Sequence, residues 1–160
     1  MAQFTLKKHI EAPPERVFEV VTDLRGAPER IRGITKMEVL TEGPIGVGTR
    51  YRETRIMFKR EASEVMEITT FDPPRSMATR AESCGCLYHT EFRCTPSGGG
   101  TDLELLFDAQ PQSFFGKLMG FLFSFMMKSC IKETEKDLDD IKAAVEGHAG
   151  PAGEPGVQPA

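Results

Sequence analysis

Three charged residues, Glu53, Arg55 and Glu64, lie in segments whose alternation of polar and apolar residues is typical of β-strands. If Lys59 and Arg60 form a two-residue turn, all three share one otherwise apolar face. The predicted partners are Tyr51 with Ile68, Glu53 with Met66, Arg55 with Glu64, and Met57 with Ala62. Charges on such a face must be paired, or their pKa values shift.

Two interpretations of this charged group remain open. In the functional one, the Arg55 guanidinium binds a ligand carboxylate or phosphate, and a neighbouring carboxyl group acts as a general acid or base. In the structural one, the residues form an ion pair at a cavity mouth, or a β-bulge turns them to solvent.

A second hairpin supplies mainly apolar side chains. With Cys84 and Gly85 as its turn, the predicted opposed pairs are Ala81 with Tyr88, Thr79 with Thr90, and Met77 with Phe92, and Leu103, Leu105 and Phe107 continue the surface. Scattered hydrogen-bonding groups in an apolar wall are typical of a site for an apolar ligand with one or two polar atoms. The alternative is a filled core in which the tyrosines and threonines bond to each other.

Other residue types capable of chemistry show no useful spacing. His9, His89 and His148 are far apart in sequence, so neither a metal site nor a cofactor is predicted. The four cysteines include no Cys-x-x-Cys pair and are expected to be reduced thiols. A glycine-rich loop at residues 43–48 precedes a strand rather than a helix, which excludes the phosphate-loop geometry.

The element that must position these strands is a long helix predicted at residues 113–146. Its second half has one apolar stripe, formed by Met127, Ile131, Thr134, Leu138, Ile141 and Val145. The opposite face is charged and comprises Lys132, Glu133, Lys136, Asp137, Asp139, Asp140 and Lys142. A helix of this length needs a broad apolar surface beneath it.

The rest of the chain supplies that surface as strands. A strand at residues 3–11 precedes a helix that begins near Pro13 and Pro14, a second short helix at residues 23–32, and about six antiparallel strands. This order predicts an α+β fold in which a curved antiparallel sheet of about seven strands wraps around the closing helix. Residues 1–146 form the predicted domain, and residues 147–160, rich in glycine and proline, a disordered tail.

Composition excludes some functions. The net charge of −4 argues against a nucleic-acid partner, because phosphate contacts require a basic surface. No signal peptide is recognised in the first residues, so a cytoplasmic location is predicted.

Several stretches resemble the SRPBCC superfamily, also called START-like, of the polyketide cyclase/dehydrase and lipid transport type. They are residues 10–18, 46–51 and 71–75, Gly100 and Thr101 at the start of the last strand, and the closing helix. The resemblance covers nearly all of residues 3–146. It implies a helix-grip fold with a cavity between sheet and closing helix, and it carries over no catalytic residue.

The leading functional hypothesis is a soluble carrier or sensor for a small hydrophobic, lipid-like or polyketide-like ligand. The candidate ligand-binding residues are Tyr51, Glu53, Arg55, Glu64, Met66, Thr79, Tyr88, Thr90, Phe92, Leu105, Leu118 and Leu122. The alternative is a polyketide cyclase or dehydratase using the same cavity, with Arg55, Glu64 and Tyr88 as candidate groups.

A further hypothesis concerns the first half of the closing helix, which is apolar nearly all round. One face can cover the sheet, and Phe115, Met119, Leu122, Phe123 and Met126 are left over. Such a patch predicts a gate over the cavity and contact with a membrane surface or a second subunit of a homodimer. The alternative is that the two short helices cover it.

Overall fold

The computed structural model describes residues 2–147, apart from the side chain of Phe123. Seven antiparallel strands form one sheet in the order β1-β7-β6-β5-β4-β3-β2. The elements are β1 (Ala2–Ile10), α1 (Pro14–Thr22), α2 (Ala27–Arg30), β2 (Ile34–Val39), β3 (Arg50–Met57), β4 (Arg60–Asp72), β5 (Ser76–Ser83), β6 (Cys86–Ser97), β7 (Gly100–Pro111) and α3 (Phe114–Glu146). This confirms the predicted helix-grip architecture.

The β5–β6 hairpin has the predicted register. Cys84 and Gly85 form its turn, with φ angles of 52° and 71°. Thr79 pairs with Thr90, as the sequence predicts. Gly85 tolerates this left-handed conformation without steric cost, so its position fixes the turn and thereby the register.

The predicted partners in the β3–β4 hairpin are wrong. Its turn residues are Phe58 and Lys59, with φ angles of 51° and 64°, rather than Lys59 and Arg60. The observed partners are Tyr51 with Met66, Glu53 with Glu64, Arg55 with Ala62, and Met57 with Arg60.

The error leaves the faces of both strands unchanged. Moving the turn by one residue changes the partner of each residue by two positions. Because side chains alternate between the two faces with a period of two, each new partner lies on the same face as the predicted one. Turns of this kind favour Asn-Gly or Asp-Gly, and this segment contains neither. The turn position was therefore not encoded locally, whereas the inward face was.

Helix α3 bends by 63° between a first arm, Phe114–Leu122, and a second arm, Ser124–Glu146. The second arm lies across the sheet and packs chiefly on β1 and β7 and on α1. Leu138, Ile141 and Val145 of the predicted stripe are buried there against Ile10 and Leu103. No single helix of residues 2–147 is long and apolar enough to cross a membrane, and the two arms pass such a test only together, across the bend.

Among residues 2–147, the contacts that hold the first arm lie at its start. The Ser113 hydroxyl accepts a hydrogen bond from the Gly116 amide at 3.0 Å, which caps the helix. Gly116 lies so close to the carbonyl of Gly85 that a Cβ would not fit, whereas Gly120 has open space around it. Gly116 therefore allows the close approach of the Gly85 backbone within the same chain.

Asp137 and Asp140 do not belong to the solvent face that was predicted for them from the sequence. Asp140 is 1% exposed, and its Oδ2 accepts a hydrogen bond from the Arg32 amide at 3.0 Å. Asp137 and Asp140 are the direct sequence neighbours of Leu138 and Ile141 in the apolar stripe, so their carboxyl groups can turn towards the sheet. Residue 147 ends α3 in a left-handed conformation. The rest of the predicted tail at residues 147–160 lies outside the described residues.

The two arms of α3 should differ in their contribution to stability. Leu138→Ala removes a side chain that is 1% exposed and should lower the free energy of unfolding by about 3 kcal/mol. Leu122→Ala makes the same change at a site that is 47% exposed and should cost less than about 1 kcal/mol. Urea unfolding measures both, and equal losses would mean that the first arm is also part of the core.

Candidate functional site

A cavity of about 280 Å³ lies between the concave face of the sheet and the second arm of α3. Strands β1 and β3–β7 contribute inward-facing residues, and α3 contributes residues at spacings of three and four. The lining residues are Phe4, Tyr51, Glu53, Arg55, Met57, Ala62, Glu64, Met66, Thr79, Ala81, Tyr88, Thr90, Phe92, Leu105, Phe107, Cys130, Glu133, Thr134 and Asp137.

Ten of the twelve candidate ligand-binding residues line this cavity. They are Tyr51, Glu53, Arg55, Glu64, Met66, Thr79, Tyr88, Thr90, Phe92 and Leu105. The other two, Leu118 and Leu122, are on the first arm, outside the lining, and are 51% and 47% exposed. Ligand binding by any of these residues stays a prediction.

Aromatic rings and hydroxyl groups make up much of the wall. Phe4 stacks on Phe107 with ring centroids 5.0 Å apart, and Tyr88 lies 6.1 Å from the same ring. Burial raises the pKa of Tyr51, and burial raises the pKa of Tyr88 to about 12. Both phenols are therefore neutral at physiological pH and can donate or accept hydrogen bonds.

Arg55 is the centre of a charged cluster at the cavity wall. Its Nε donates to Glu53 Oε1 at 2.7 Å, and its Nη1 donates to Asp137 Oδ2 at 3.0 Å. The three side chains are only 21%, 13% and 15% exposed, in that order, so no β-bulge turns them to solvent. The Arg55–Asp137 contact links the sheet to the helix.

The cluster perturbs the ionisation of its members. Burial lowers the pKa of Arg55, but the charges of Glu53 and Asp137 together raise it by more. The net pKa is above the ordinary value, so the guanidinium stays protonated. Burial raises the pKa of Asp137 to about 6, against the opposing effect of Arg55. The direction follows from burial, which outweighs the attraction of the Arg55 guanidinium, and the negative charge of Glu53 adds to it.

Glu64 lies directly opposite Glu53 in the β3–β4 ladder. Burial raises the pKa of Glu64, a hydrogen bond from Ser83 lowers it, and the negative charge of Glu53 raises it. A raised pKa favours the protonated carboxyl group more than in an exposed glutamate.

Sequence reasoning missed the contributions of α3, namely Cys130, Glu133, Thr134 and Asp137. Thr134 was assigned to the apolar stripe and Asp137 to the solvent face. Electrostatics could have predicted this contribution. An inward-facing Arg55 needs a buried carboxylate as counter-charge, and the helix that covers the sheet is the element outside the sheet that can provide it. Asp137 is one turn from Thr134 and fits that requirement.

Other reactive groups lie outside the cavity or are poor metal ligands. His9 contacts Asp102 at 2.8 Å and Glu11 at 3.0 Å with its ring 39% exposed, and it does not line the cavity. Among residues 2–147 there is no group of His, Cys, Asp and Glu side chains arranged to hold a metal ion. Burial raises the pKa of the Cys94 thiol to about 11 and also that of Cys130, which makes both thiols unreactive.

Solved structures share this fold at low sequence identity. The protein TTHA0849 of Thermus thermophilus is 21% identical with a TM-score of 0.71, covering 91% of this chain and 98% of its own. A START superfamily protein of Mycobacterium smegmatis is 14% identical with a TM-score of 0.71, covering 91% and 97%. The di-domain ARO/CYC protein StfQ from the steffimycin biosynthetic pathway is 11% identical with a TM-score of 0.74, covering 91% of this chain and 50% of its own.

Sequence comparison gives the family directly. No curated protein matches the chain significantly. The profile of the family described as polyketide cyclase / dehydrase and lipid transport matches residues 1–146. The match extends over β1 to the end of α3 and agrees with the helix-grip fold and its cavity. The chain therefore belongs to the polyketide cyclase/dehydrase and lipid transport family.

Proposed function

We propose that the protein binds and carries a small hydrophobic ligand, lipid-like or polyketide-like, in the cavity between the sheet and the second arm of α3. The observation that carries this proposal is the cavity wall. Apolar and aromatic side chains predominate, and a few hydroxyl and charged groups lie among them. Such a wall holds a ligand by burial of apolar area and orients it by its few polar contacts.

A cyclase or dehydratase activity is the second candidate, and the state of Glu64 favours it. A cavity carboxyl group with a raised pKa can transfer protons, and Tyr88 on a nearby strand lines the same cavity. Arg55, the third candidate group, is occupied by two carboxylates. A cavity that holds a polyketide-like substrate in a folded conformation would also bring its reacting atoms together, and this proximity would add to the rate enhancement. Turnover of a polyketide-like substrate that Glu64→Gln abolishes without loss of binding would establish the enzyme.

The cysteines support a reducing location. All four are unpaired, with Cys84 exposed and Cys86, Cys94 and Cys130 buried. Unpaired thiols are expected where thiols are kept reduced, and we propose the cytoplasm.

We extend the carrier proposal to the first arm of α3 and the start of the second, residues 114–126, where seven large apolar side chains are exposed. The exposed fractions are 87% for Phe114, 55% for Phe115, 51% for Leu118, 63% for Phe121, 47% for Leu122, 76% for Phe125 and 38% for Met126. The short helices α1 and α2 therefore leave this surface, which we call the aromatic patch, in contact with solvent. A patch of this size marks a contact site.

Charge favours an anionic lipid surface as the partner of the aromatic patch. Between Asp108 and Glu133 the only charged residues are Lys117, Lys128 and Lys132, and all three are exposed. This segment is basic in a chain whose net charge is −4. Aromatic residues beside lysines are typical of helices that lie in the membrane interface. A symmetric dimer through the same patch would bring these lysines together, which costs free energy.

Filling the cavity should abolish ligand binding. Ala62 lines the cavity near its edge and is exposed, so Ala62→Trp should block the space without crowding the core. Glu61→Trp adds the same side chain on the other face of β4 and is the control. Native mass spectrometry of the purified proteins should find a co-purifying apolar molecule with the wild type and Glu61→Trp, and none with Ala62→Trp. Equal occupancy of both variants would place the ligand elsewhere and contradict the proposal.

Removing aromatic side chains from the patch should abolish membrane binding. Phe121→Ser with Phe125→Ser should reduce co-sedimentation with vesicles of phosphatidylcholine and phosphatidylglycerol about tenfold, as should Lys117→Glu with Lys128→Glu. Val47→Ser changes an apolar residue that is 69% exposed elsewhere and should have no effect. Because the sites are exposed, stability should change by less than about 0.5 kcal/mol for each substitution.

Two results would contradict membrane docking. One is wild-type protein that does not sediment with the anionic vesicles at low salt. The other is a wild-type dimer in analytical ultracentrifugation that the serine substitutions dissociate, which would make the aromatic patch a subunit interface.

A further inference from the structure

The polar part of the cavity is rich in carboxyl groups. Glu53, Glu64, Glu133 and Asp137 line it, and among the described lining residues Arg55 is the sole lysine or arginine. Glu133 is paired with Lys136 at 2.8 Å, which leaves Glu53, Glu64 and Asp137 against one guanidinium and makes the cavity's polar part acidic. This balance bears directly on the ligand's chemistry, because charged groups in a site of low polarity select partners of complementary charge.

The single cation is already engaged. Arg55 donates through Nε to Glu53 at 2.7 Å and through Nη1 to Asp137 at 3.0 Å. Two of its five N–H donors are thus used, and a ligand carboxylate or phosphate that reached the remaining donors would lie beside Glu53 and Asp137, whose negative charges would repel it.

The carboxyl oxygens, in contrast, have capacity left for donors. Each ionised carboxylate offers two oxygens and about four acceptor positions. The pair formed by Glu53 and Glu64 across adjacent strands adds mutual repulsion, which a donor placed between or beside them would relieve. Thr79, Thr90 and Thr134 contribute further hydroxyl groups to the same wall.

We infer that the ligand is a hydrophobic molecule whose polar end donates hydrogen bonds through amino or hydroxyl groups, and that the cavity rejects carboxylates and phosphates. This inference rests on the proposed carrier function. Within it, the apolar wall holds the ligand's body, and Glu53, Glu64 and Asp137 select its polar end. The role of Arg55 is to keep two carboxylates in place, not to bind an anionic ligand.

The test compares three ligands that share one alkyl chain and differ only at the polar end: decylamine, decanol and decanoate. Each is titrated at pH 8 against a neutral naphthylamine fluorophore bound in the cavity. We expect decylamine to displace the fluorophore at a concentration at least about tenfold lower than decanoate, with decanol between them. At this pH decylamine is a cation and decanoate an anion.

Two variants test whether the carboxylates cause this order. Asp137→Asn and Glu53→Gln each remove one negative charge but keep an oxygen that accepts from Arg55, so the fold should be preserved. Each variant should bind decylamine more weakly and decanoate more tightly than the wild type does. The ratio of the two affinities should therefore fall about threefold or more. Asp139→Asn, on the outer side of the same helix and paired with Lys8, is the control and should leave all three affinities unchanged.

The outcomes separate this inference from the carrier proposal. Equal or tighter binding of decanoate than decylamine by the wild type would overturn the inference while leaving a carrier of other specificity. An equal loss of affinity for all three ligands in Asp137→Asn would also overturn the inference. The Asp137 carboxylate would then affect only the shape of the cavity and not its choice of ligand. Failure of all three ligands and of the fluorophore to bind, with Ala62→Trp unchanged in every assay, would overturn the carrier proposal itself.

Discussion

The structure depends on one constraint: a single long helix, with only the short α1 beside it, has to cover the apolar face of a seven-stranded sheet. The stripe on the second arm of α3 is narrow, and its buried residues, Leu138, Ile141 and Val145, pack chiefly over β1 and β7. The curved sheet continues through β3–β5 beyond the reach of that stripe, and the space there is the cavity. The cavity is thus a consequence of covering a wide curved sheet with one helix, and the strands far from β1 supply its distal wall.

The same geometry explains why the cavity wall contains buried charges. Beyond the apolar contacts between helix and sheet, the Arg55–Asp137 ion pair links α3 to β3. Glu53, also on β3, accepts a second hydrogen bond from the same guanidinium. Ion pairs in such positions contribute little net stability, because desolvation offsets their attraction, but they strongly disfavour arrangements that separate the partners. The cluster is therefore better understood as fixing the position of α3 over the cavity, and as setting the cavity's charge, than as a source of stability.

The bend in α3 divides one helix between two tasks. From Cys130 onward the second arm contributes to the core, whereas the first arm is held at Ser113 and Gly116 and exposes most of its large apolar residues. Cys130, which lines the cavity, follows the last residues of the aromatic patch by about one turn. A surface that contacts a membrane and a wall that contacts a ligand would thus be adjacent along one element. This arrangement suits a carrier that takes its ligand from a lipid phase.

Sequence periodicity determined the element order and the inward faces of the strands, because these depend on local patterns of period two and 3.6 and on turn residues such as Gly85. The family was indicated separately, by the resemblance of several short stretches to known members. The β3–β4 register needed the tertiary structure, since Phe58 and Lys59 carry no turn signal and their conformation is imposed by the strands they join. The inward position of Asp137 and Asp140 also needed it. Both residues lie at the edge of an apolar stripe, and only the charges that meet them, Arg55 on β3 and Arg32 before β2, decide that these carboxylates turn towards the sheet. Such long-range pairings between charged residues leave no local pattern in the sequence.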